Sequence, residues 1–333
     1  MAKLDYNMIA IGAGSGGLVS TFIASAVKAK VALIEKNKMG GDCLNTGCVP
    51  SKALISSAKA VQMLKKHTLY GLKNVSYEVD FALTMERVQE IIAKLEPHDS
   101  VARYSSLGVE CHIGKAMIRS PHEVEVNGQV LTTKNIVVAT GARPFVPPTP
   151  GLEDVQFSHS GNIWDLRKQP KHLAVIGGGP IGLELAQAFR RLGSEVTIIN
   201  LDPGILSRED LDMVQFIRES FENDGIKLLD ETTIESVEKR GNSSRIHYSR
   251  EDEKHFLDVD HILMAVGRTP NSSGFGLENL GVELNKNKTI KVDKFLRSSI
   301  PNIYACGDVA GPYQFTHMAG HQAWYATVNS LFS

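Results

Sequence analysis

Met8-Ile-Ala-Ile-Gly12-Ala-Gly14-Ser-Gly-Gly17 is an apolar run that ends in closely spaced glycines, followed by small residues and a second apolar run, Val31-Ala-Leu-Ile-Glu35. That order predicts strand, tight turn, helix and strand. The first glycine makes the turn, the second lets backbone amides approach a pyrophosphate, and the third lets the helix pack against the strand. Glu35 ends the second strand where a carboxylate can accept a ribose hydroxyl. The pattern recurs at Leu173-Ala-Val-Ile-Gly177-Gly-Gly179-Pro-Ile-Gly182, with Val196-Thr-Ile-Ile-Asn200 as its second strand. One copy alone is weak evidence. Two in the same strand, turn, helix and strand context predict an α/β protein with two Rossmann-like dinucleotide-binding domains.

Met8 to Val27 carries no charge, Lys3 precedes it, and Ala24-Ser25-Ala26 resembles a cleavage site, so a signal peptide or membrane span is the competing reading. The fingerprint register of its glycines, its serines and threonine, and the charged strand end that follows favour the nucleotide fold. No other stretch has the length and apolarity to span a bilayer. With 42% hydrophobic residues, 22% charged residues and a net charge of −1, the chain reads as an enzyme with two cores, without the basic excess that nucleic acid demands. The mixed charges from Glu238 to His255 and the lysines from Asn285 to Lys294 read as solvated loops or a surface hairpin.

The run Gly40-Gly-Asp-Cys43-Leu-Asn-Thr-Gly-Cys48-Val-Pro-Ser-Lys52 places two cysteines five residues apart. Fully extended, those five steps would span roughly 17 Å, whereas a disulfide needs Cα atoms about 5.5 Å apart. The chain must therefore fold back. A regular helix turns the two side chains away from each other, so a bridge requires a distorted first turn, for which Gly47 is suited. A thiolate at a helix N-terminus with Lys52 one turn on is stabilised by the dipole and the ammonium. The pair reads as a redox-active dithiol. A structural disulfide fits poorly in a chain of 333 residues with four cysteines, and zinc would need two more ligands at similar spacing. Cys111 and Cys306 stand in apolar, strand-like surroundings and read as core residues, so no metal site is expected. Sparse cysteine with one reducible pair points to the cytoplasm.

Read coarsely, a cysteine helix is expected from about Cys43 to Lys66 and a second helix from about Thr84 to Leu107. Strands follow at Glu110 to Ile118, Glu123 to Val126 and Asn135 to Ala139, and the last helix begins near Phe315. The proline-rich Pro144 to Pro150 marks a boundary. The expected division is 1–150, 151–280 and 281–333, the second domain being inserted in the first.

Both fingerprints, the cysteine run, Ala139-Thr-Gly141, Gly267-Arg-Thr-Pro-Asn271 and Gly307-Asp308 together make the chain resemble the pyridine nucleotide-disulfide oxidoreductases of the glutathione reductase, dihydrolipoamide dehydrogenase and mercuric reductase group. The resemblance implies FAD on the first domain, with Gly12, Gly14 and Gly17 at its pyrophosphate and Glu35 on its adenosine ribose. It adds Gly41, Asp42, Lys52, Ala116, Thr140, Gly141, Arg143, Asp308, Phe315 and Thr316 to that site. NAD(P)H is implied as co-substrate on the second domain, at Gly177, Gly179, Gly182, Asn200, Gly267 and Arg268. Cys43, Cys48, Lys52 and Glu184 are the implied catalytic residues. Lys52 would pair with Glu184 across the domains, Cys48 would exchange electrons with the flavin, and Cys43 would exchange with an outside disulfide.

The implied substrate is a small thiol or disulfide, as in dihydrolipoamide dehydrogenase, or a metal ion, as in mercuric reductase; a flavin-binding module without full turnover is the third reading. Asp42 stands where a threonine is common and Pro180 where some members carry a gating tyrosine. Asn200 and Leu201 leave NAD versus NADP open. The resemblance also implies a C-terminal interface domain that makes a homodimer and supplies an acid-base pair. Since the sequence stops at Ser333 and His317 and His321 do not form that pair, a fragment is expected.

Overall fold

A computed structural model describes residues 4–332, so Lys3 and Ser333, drawn on above, lie outside the described residues. The chain divides into two compact units. Unit 1 comprises residues 1–45, 92–143 and 269–333; unit 2 comprises residues 46–91 and 144–268.

In unit 1, β1 (Tyr6–Ile11) lies between β2 (Val31–Glu35) and β6 (Gln129–Val138), all parallel. Parallel β3 (Val109–Ile113) extends the β2 edge, and β17 (Ile303–Ala305) pairs parallel with the second half of β6. Strand β5 (Glu123–Val126) pairs antiparallel with the first half of β6, and β4 (Met117–Ser120) pairs antiparallel with β5. Ile11 pairs with both Ile34 and Val138, and Val138 with Ala305, so the carboxyl ends of these strands finish level. In an open parallel sheet that edge is where loops gather and ligands bind.

Alternation along the strands explains the two buried faces. Met8, Ala10, Leu33 and Val137 pack with residues of α1 (Ser15–Ala26) and α8 (Thr316–Phe332) on one side. Ile9, Ile11, Ile34 and Val138 meet Ile118, Val124 and Leu131 on the other. The uncharged segment from Met8 to Val27 is therefore a strand and a short helix, and among the described residues no helix is long and apolar enough to cross a membrane.

Two expected helices are broken. The cysteine helix is α2 (Gly41–Asn45) followed by α3 (Cys48–Lys65), and the next is α4 (Phe81–Leu95) followed, after a turn that contains Pro97, by α5 (Val101–Ser106). Proline removes a backbone donor, which accounts for the second interruption. The single strand expected from Glu110 to Ile118 is two strands with Gly114 between them.

Unit 1 is left through β7 (Ala142–Pro144) and re-entered through β16 (Arg268–Pro270). In unit 2, β8 (Phe157–His159), β9 (His172–Ile176), β10 (Glu195–Ile199), β11 (Lys227–Leu229) and β15 (His261–Met264) form a parallel sheet in the order β11-β10-β9-β15-β8. Its helices are α6 (Pro180–Leu192) and α7 (Leu211–Asn223), and α3 and the part of α4 up to Ile91 belong to it as well. Pro180 at the first turn and Gly193 just past the end delimit α6 as helix physics favours. The charged segment expected as loops or a hairpin is instead a three-stranded antiparallel sheet of β12 (Thr233–Arg240), β13 (Ser243–Arg250) and β14 (Glu253–Val259). Its inward residues Val237, Ile246, Tyr248 and Val259 are buried with Ile176, Ile199 and Met264.

Within the unit 2 sheet, His261 Nε2 lies 2.8 Å from Ser158 Oγ, and burial lowers the His261 pKa from its ordinary 6.5. A histidine whose folded pKa is depressed adds stability that is complete above its unfolded pKa and is lost as pH falls through the folded value. The thermal midpoint is therefore expected to drop between pH 7 and pH 5, and less steeply in His261→Gln. Parallel pH profiles for the two proteins would contradict this.

Candidate active site

Gly12, with φ +102°, is held by its neighbours: a Cβ there would lie 2.4 Å from the Ala139 carbonyl oxygen. A Cβ on Gly17 would lie 1.7 Å from the Gly12 oxygen, so α1 can seat on β1 only with glycine. Gly14 differs. Its φ of −79° suits any residue, and a Cβ would meet Gly41 Cα at an ordinary 3.8 Å. The chain itself does not demand glycine there, and the space beside it is open. Gly14 is the N-cap of α1 and offers no capping side chain, so the first-turn amides of the helix face that space, as an anion site requires. The Gly40 amide, donating to the Ala13 oxygen at 2.9 Å, brings the Gly40–Gly41 turn alongside.

Glu35, 8% exposed, closes the other end of the cradle. Its two oxygens accept the Ala13 and Asn37 amides, each at 2.7 Å, which fixes the carboxylate while each oxygen keeps a lone pair for a hydroxyl. These residues fit a dinucleotide's pyrophosphate and ribose. Ala116 is buried with its methyl in the core, so only its backbone can face a ligand. Asp42 is exposed in the first turn of α2.

Thr140 and Gly141 are clasped by Asn271. The Thr140 hydroxyl donates to the Asn271 oxygen at 2.7 Å, and the Asn271 side chain donates back to the Thr140 oxygen at 2.9 Å. The Asn271 amide meets the Gly141 oxygen at 2.9 Å, and the Arg143 guanidinium donates to Asn271 Oδ1 at 3.0 Å. The turn around Asp308 is held by buried Gln322, whose oxygen accepts the Gly307 amide and whose nitrogen donates to Gly311, both at 2.7 Å. Phe315 is exposed just before α8, which begins at Thr316. Sequence reasoning missed Asn271 and Gln322 as builders of the site: Asn271 ended a recognised motif without a stated role, and nothing near Gln322 in sequence signals its reach to Gly307.

The second fingerprint repeats the first in unit 2. A Cβ on Gly177 would lie 2.6 Å from the Ala265 oxygen and one on Gly182 2.5 Å from the Gly177 oxygen, whereas Gly179, the N-cap of α6, has nothing within 4 Å. Asn200 takes the place of Glu35. Its oxygen accepts the Gly178 amide at 3.1 Å, while its nitrogen donates to the oxygens of Asp202, Gly204 and Asp230. That amide therefore organises the following loop and leaves the edge without the charge that Glu35 supplies. Gly267, with φ +130° and open space around it, and half-buried Arg268 stand at the end of the β15 connection.

The cysteine run divides between α2 and α3. Cys43 is half-buried in α2, and Cys48, exposed, is the first residue of α3 behind an N-cap Gly47 at φ −123°, ψ −108°. Asn45 fixes the end of α2 by donating to the oxygens of Met39 and Gly41 at 2.9 Å. Cys48 and Lys52 are four residues apart in α3 and share one of its faces. Lys52 Nζ reaches both Glu184 oxygens, at 2.5 and 2.7 Å. Since α3 and α6 belong to the same unit, this pair lies within unit 2. With side chains 60% and 43% exposed, it adds little to stability, and it places a cation one turn from Cys48. Cys306 is a different kind of thiol: burial pushes its pKa to about 12, and burial also raises that of Cys111. Both are poor nucleophiles at neutral pH.

A family model described as pyridine nucleotide-disulphide oxidoreductase matches residues 6–323. A mercuric reductase of Bacillus cereus is 33% identical over 327 residues, covering 98% of this chain and 52% of that protein. A dihydrolipoyl dehydrogenase of Acholeplasma laidlawii is 36% identical over 334 residues, covering 98% of this chain and 96% of that one. Among solved structures, the Cu(II) complex of the HOCl-induced flavoprotein disulfide reductase RclA from Escherichia coli aligns with a TM-score of 0.85 and 28% identity, covering 98% of this chain and 71% of that one. The chain thus spans about half the length of the first mercuric reductase relative.

Proposed function

The chain belongs to the pyridine nucleotide-disulphide oxidoreductase family, and from that premise we propose that it passes electrons between NAD(P)H and a thiol or disulfide substrate through FAD and a Cys43–Cys48 redox pair, in the manner of a dihydrolipoyl dehydrogenase. The observation that carries this reading is Cys48 at the N-terminus of α3 with the Lys52–Glu184 pair one turn on. Balanced, the reaction is NAD(P)H plus a proton plus a disulfide giving NAD(P)⁺ plus two thiols, or its reverse. Bound FAD supplies a two-electron carrier between nicotinamide and sulfur.

The protein's own groups bind, orient and tune. Unit 1 holds FAD with Gly12, Gly14, Gly17, Gly41 and Glu35, and offers Asp42, Ala116, Thr140, Gly141, Arg143, Asp308, Phe315 and Thr316 to the rest of the cofactor. Unit 2 offers Gly177, Gly179, Gly182, Asn200, Gly267 and Arg268 to the nicotinamide nucleotide. Lys52, steadied by Glu184, and the α3 N-terminus favour the Cys48 thiolate. In the reducing direction the Cys43 thiolate attacks the outside disulfide, giving a mixed disulfide and one substrate thiolate that is protonated. Cys48 then attacks the Cys43 sulfur, closing the protein disulfide and releasing the second substrate thiolate. In the oxidising direction a substrate thiolate attacks Cys43 and expels the Cys48 thiolate. Sparse cysteine with a reducible pair supports a cytoplasmic site of action, and the resemblance supports a homodimer for the whole protein. The domains proposed are FAD-binding at 1–150 and 281–333 and NAD(P)-binding at 151–280.

A second reading, reduction of a metal ion at the same sulfurs, is favoured by relatives named mercuric reductase and by the Cu(II) complex of RclA. The deciding assay follows NADH and NADPH oxidation by FAD-loaded protein with lipoamide, glutathione disulfide, Hg²⁺ or Cu²⁺. Turnover of a disulfide that disappears in Cys43→Ser supports the first reading, and turnover of metal alone supports the second. Oxidation of neither nucleotide with any of these acceptors would overturn both.

A further inference from the structure

Thr46 and Gly47 interrupt the helix between the two cysteines, and the interruption has a chemical cause at Pro50. Were the helix continuous, the Thr46 carbonyl would accept the amide four residues on, which is Pro50, and proline has no N–H. The next carbonyl, Gly47, does find its partner, Ser51 N–H at 3.0 Å. The Thr46 carbonyl instead accepts from the indole of Trp164, Nε1 to O 3.0 Å, and the same N–H also points at the Ser160 oxygen at 2.7 Å.

Trp164 is well placed to act as a fixed strut. It is 3% exposed, and its own carbonyl accepts from Gln89 Nε2 at 3.2 Å and from Arg167 at 3.1 Å. All of these residues belong to unit 2. A buried indole almost always places its N–H on an acceptor, and this one shares it between the Ser160 oxygen and, at the longer distance, the backbone two residues before the exposed cysteine. Resting on the dithiol reading above, we infer that Trp164 is a positioning residue for the redox turn, confining the backbone that carries Cys48 so that its sulfur stays within reach of disulfide formation.

The coupled equilibrium is protein disulfide plus two glutathione giving protein dithiol plus glutathione disulfide. Confinement raises the effective concentration of one sulfur at the other, so removing the N–H favours the dithiol. Trp164→Phe keeps an aromatic ring and deletes the donor. FAD-loaded wild type, Trp164→Phe and the control Trp324→Phe are equilibrated over a series of glutathione ratios and alkylated. The tryptic peptide Met39–Lys52, which carries both cysteines, is then weighed. The equilibrium constant is expected to move toward dithiol by about three- to tenfold in Trp164→Phe, the worth of one net hydrogen bond, and by less than twofold in Trp324→Phe.

A shift below twofold in folded Trp164→Phe, or a shift toward disulfide, overturns the inference. Should that variant fail to fold, the Trp164 indole ¹⁵N–H resonance of wild type, assigned against Trp324→Phe, serves instead. It is expected to move on reduction, and an unmoved signal overturns the inference. A wild-type peptide that never forms the internal disulfide would sink the dithiol reading itself, before Trp164 is tested.

Discussion

Gly17→Ala is expected to yield protein that loses FAD on gel filtration and melts well below wild type, because the added Cβ would sit 1.7 Å from the Gly12 carbonyl oxygen. The opposing atom is backbone and cannot swing away, so the cost belongs at or beyond the top of the about 1–3 kcal/mol range for overpacking. Gly14→Ala separates packing from binding. Its Cβ finds only an ordinary 3.8 Å contact within the protein, so the melting point of the FAD-free protein should hold while FAD affinity falls by about tenfold or more. Absorbance of flavin retained after gel filtration, with the melting curve of each protein, reads both effects. Equal FAD retention in Gly14→Ala and wild type would remove the pyrophosphate from the α1 N-terminus.

Cys48→Ser and Cys43→Ser are each expected to lower NAD(P)H-linked disulfide turnover by about a thousandfold or more, since neither serine can form the protein disulfide and the two sulfurs act as a unit. Nicotinamide oxidation with a small one-electron acceptor such as ferricyanide should stay within a few fold of wild type, because the glycine cradles and the Lys52–Glu184 pair are untouched. Disulfide turnover surviving in either variant would assign the chemistry to another group. Cys306 and Cys111 are poor candidates for it, being held in their thiol forms by burial.

The two nucleotide folds were legible because their signals are local: Gly12, Gly17, Gly177 and Gly182 are required by backbone contacts close in sequence or set by adjacent strands, and apolar runs flank them. The redox run was legible for the same reason, with Cys48 and Lys52 one helical turn apart. What the sequence concealed depends on distant partners. The charges of residues 238–255 hid a sheet because Val237, Ile246 and Tyr248 alternate with polar residues and declare a buried face only once paired. Asn271 clasps Thr140, Gln322 braces Gly307, and Trp164 caps Thr46 across more than a hundred residues of chain or against a backbone atom, where residue type carries no signal. Pro50 lies inside the helix that was expected to run unbroken from Cys43, and the donor it lacks accounts for the break that the expectation passed over.

Electron flow from nicotinamide to the Cys43–Cys48 pair is read most directly by the mass of the Met39–Lys52 peptide. FAD-loaded protein is made anaerobic, given one equivalent of NADH or NADPH, alkylated and digested. The peptide should carry no alkyl group before the nucleotide is added and two, on Cys43 and Cys48, after it. A peptide alkylated to the same extent with and without nucleotide, while the nicotinamide is consumed, would show that electrons leave the flavin without passing through these sulfurs.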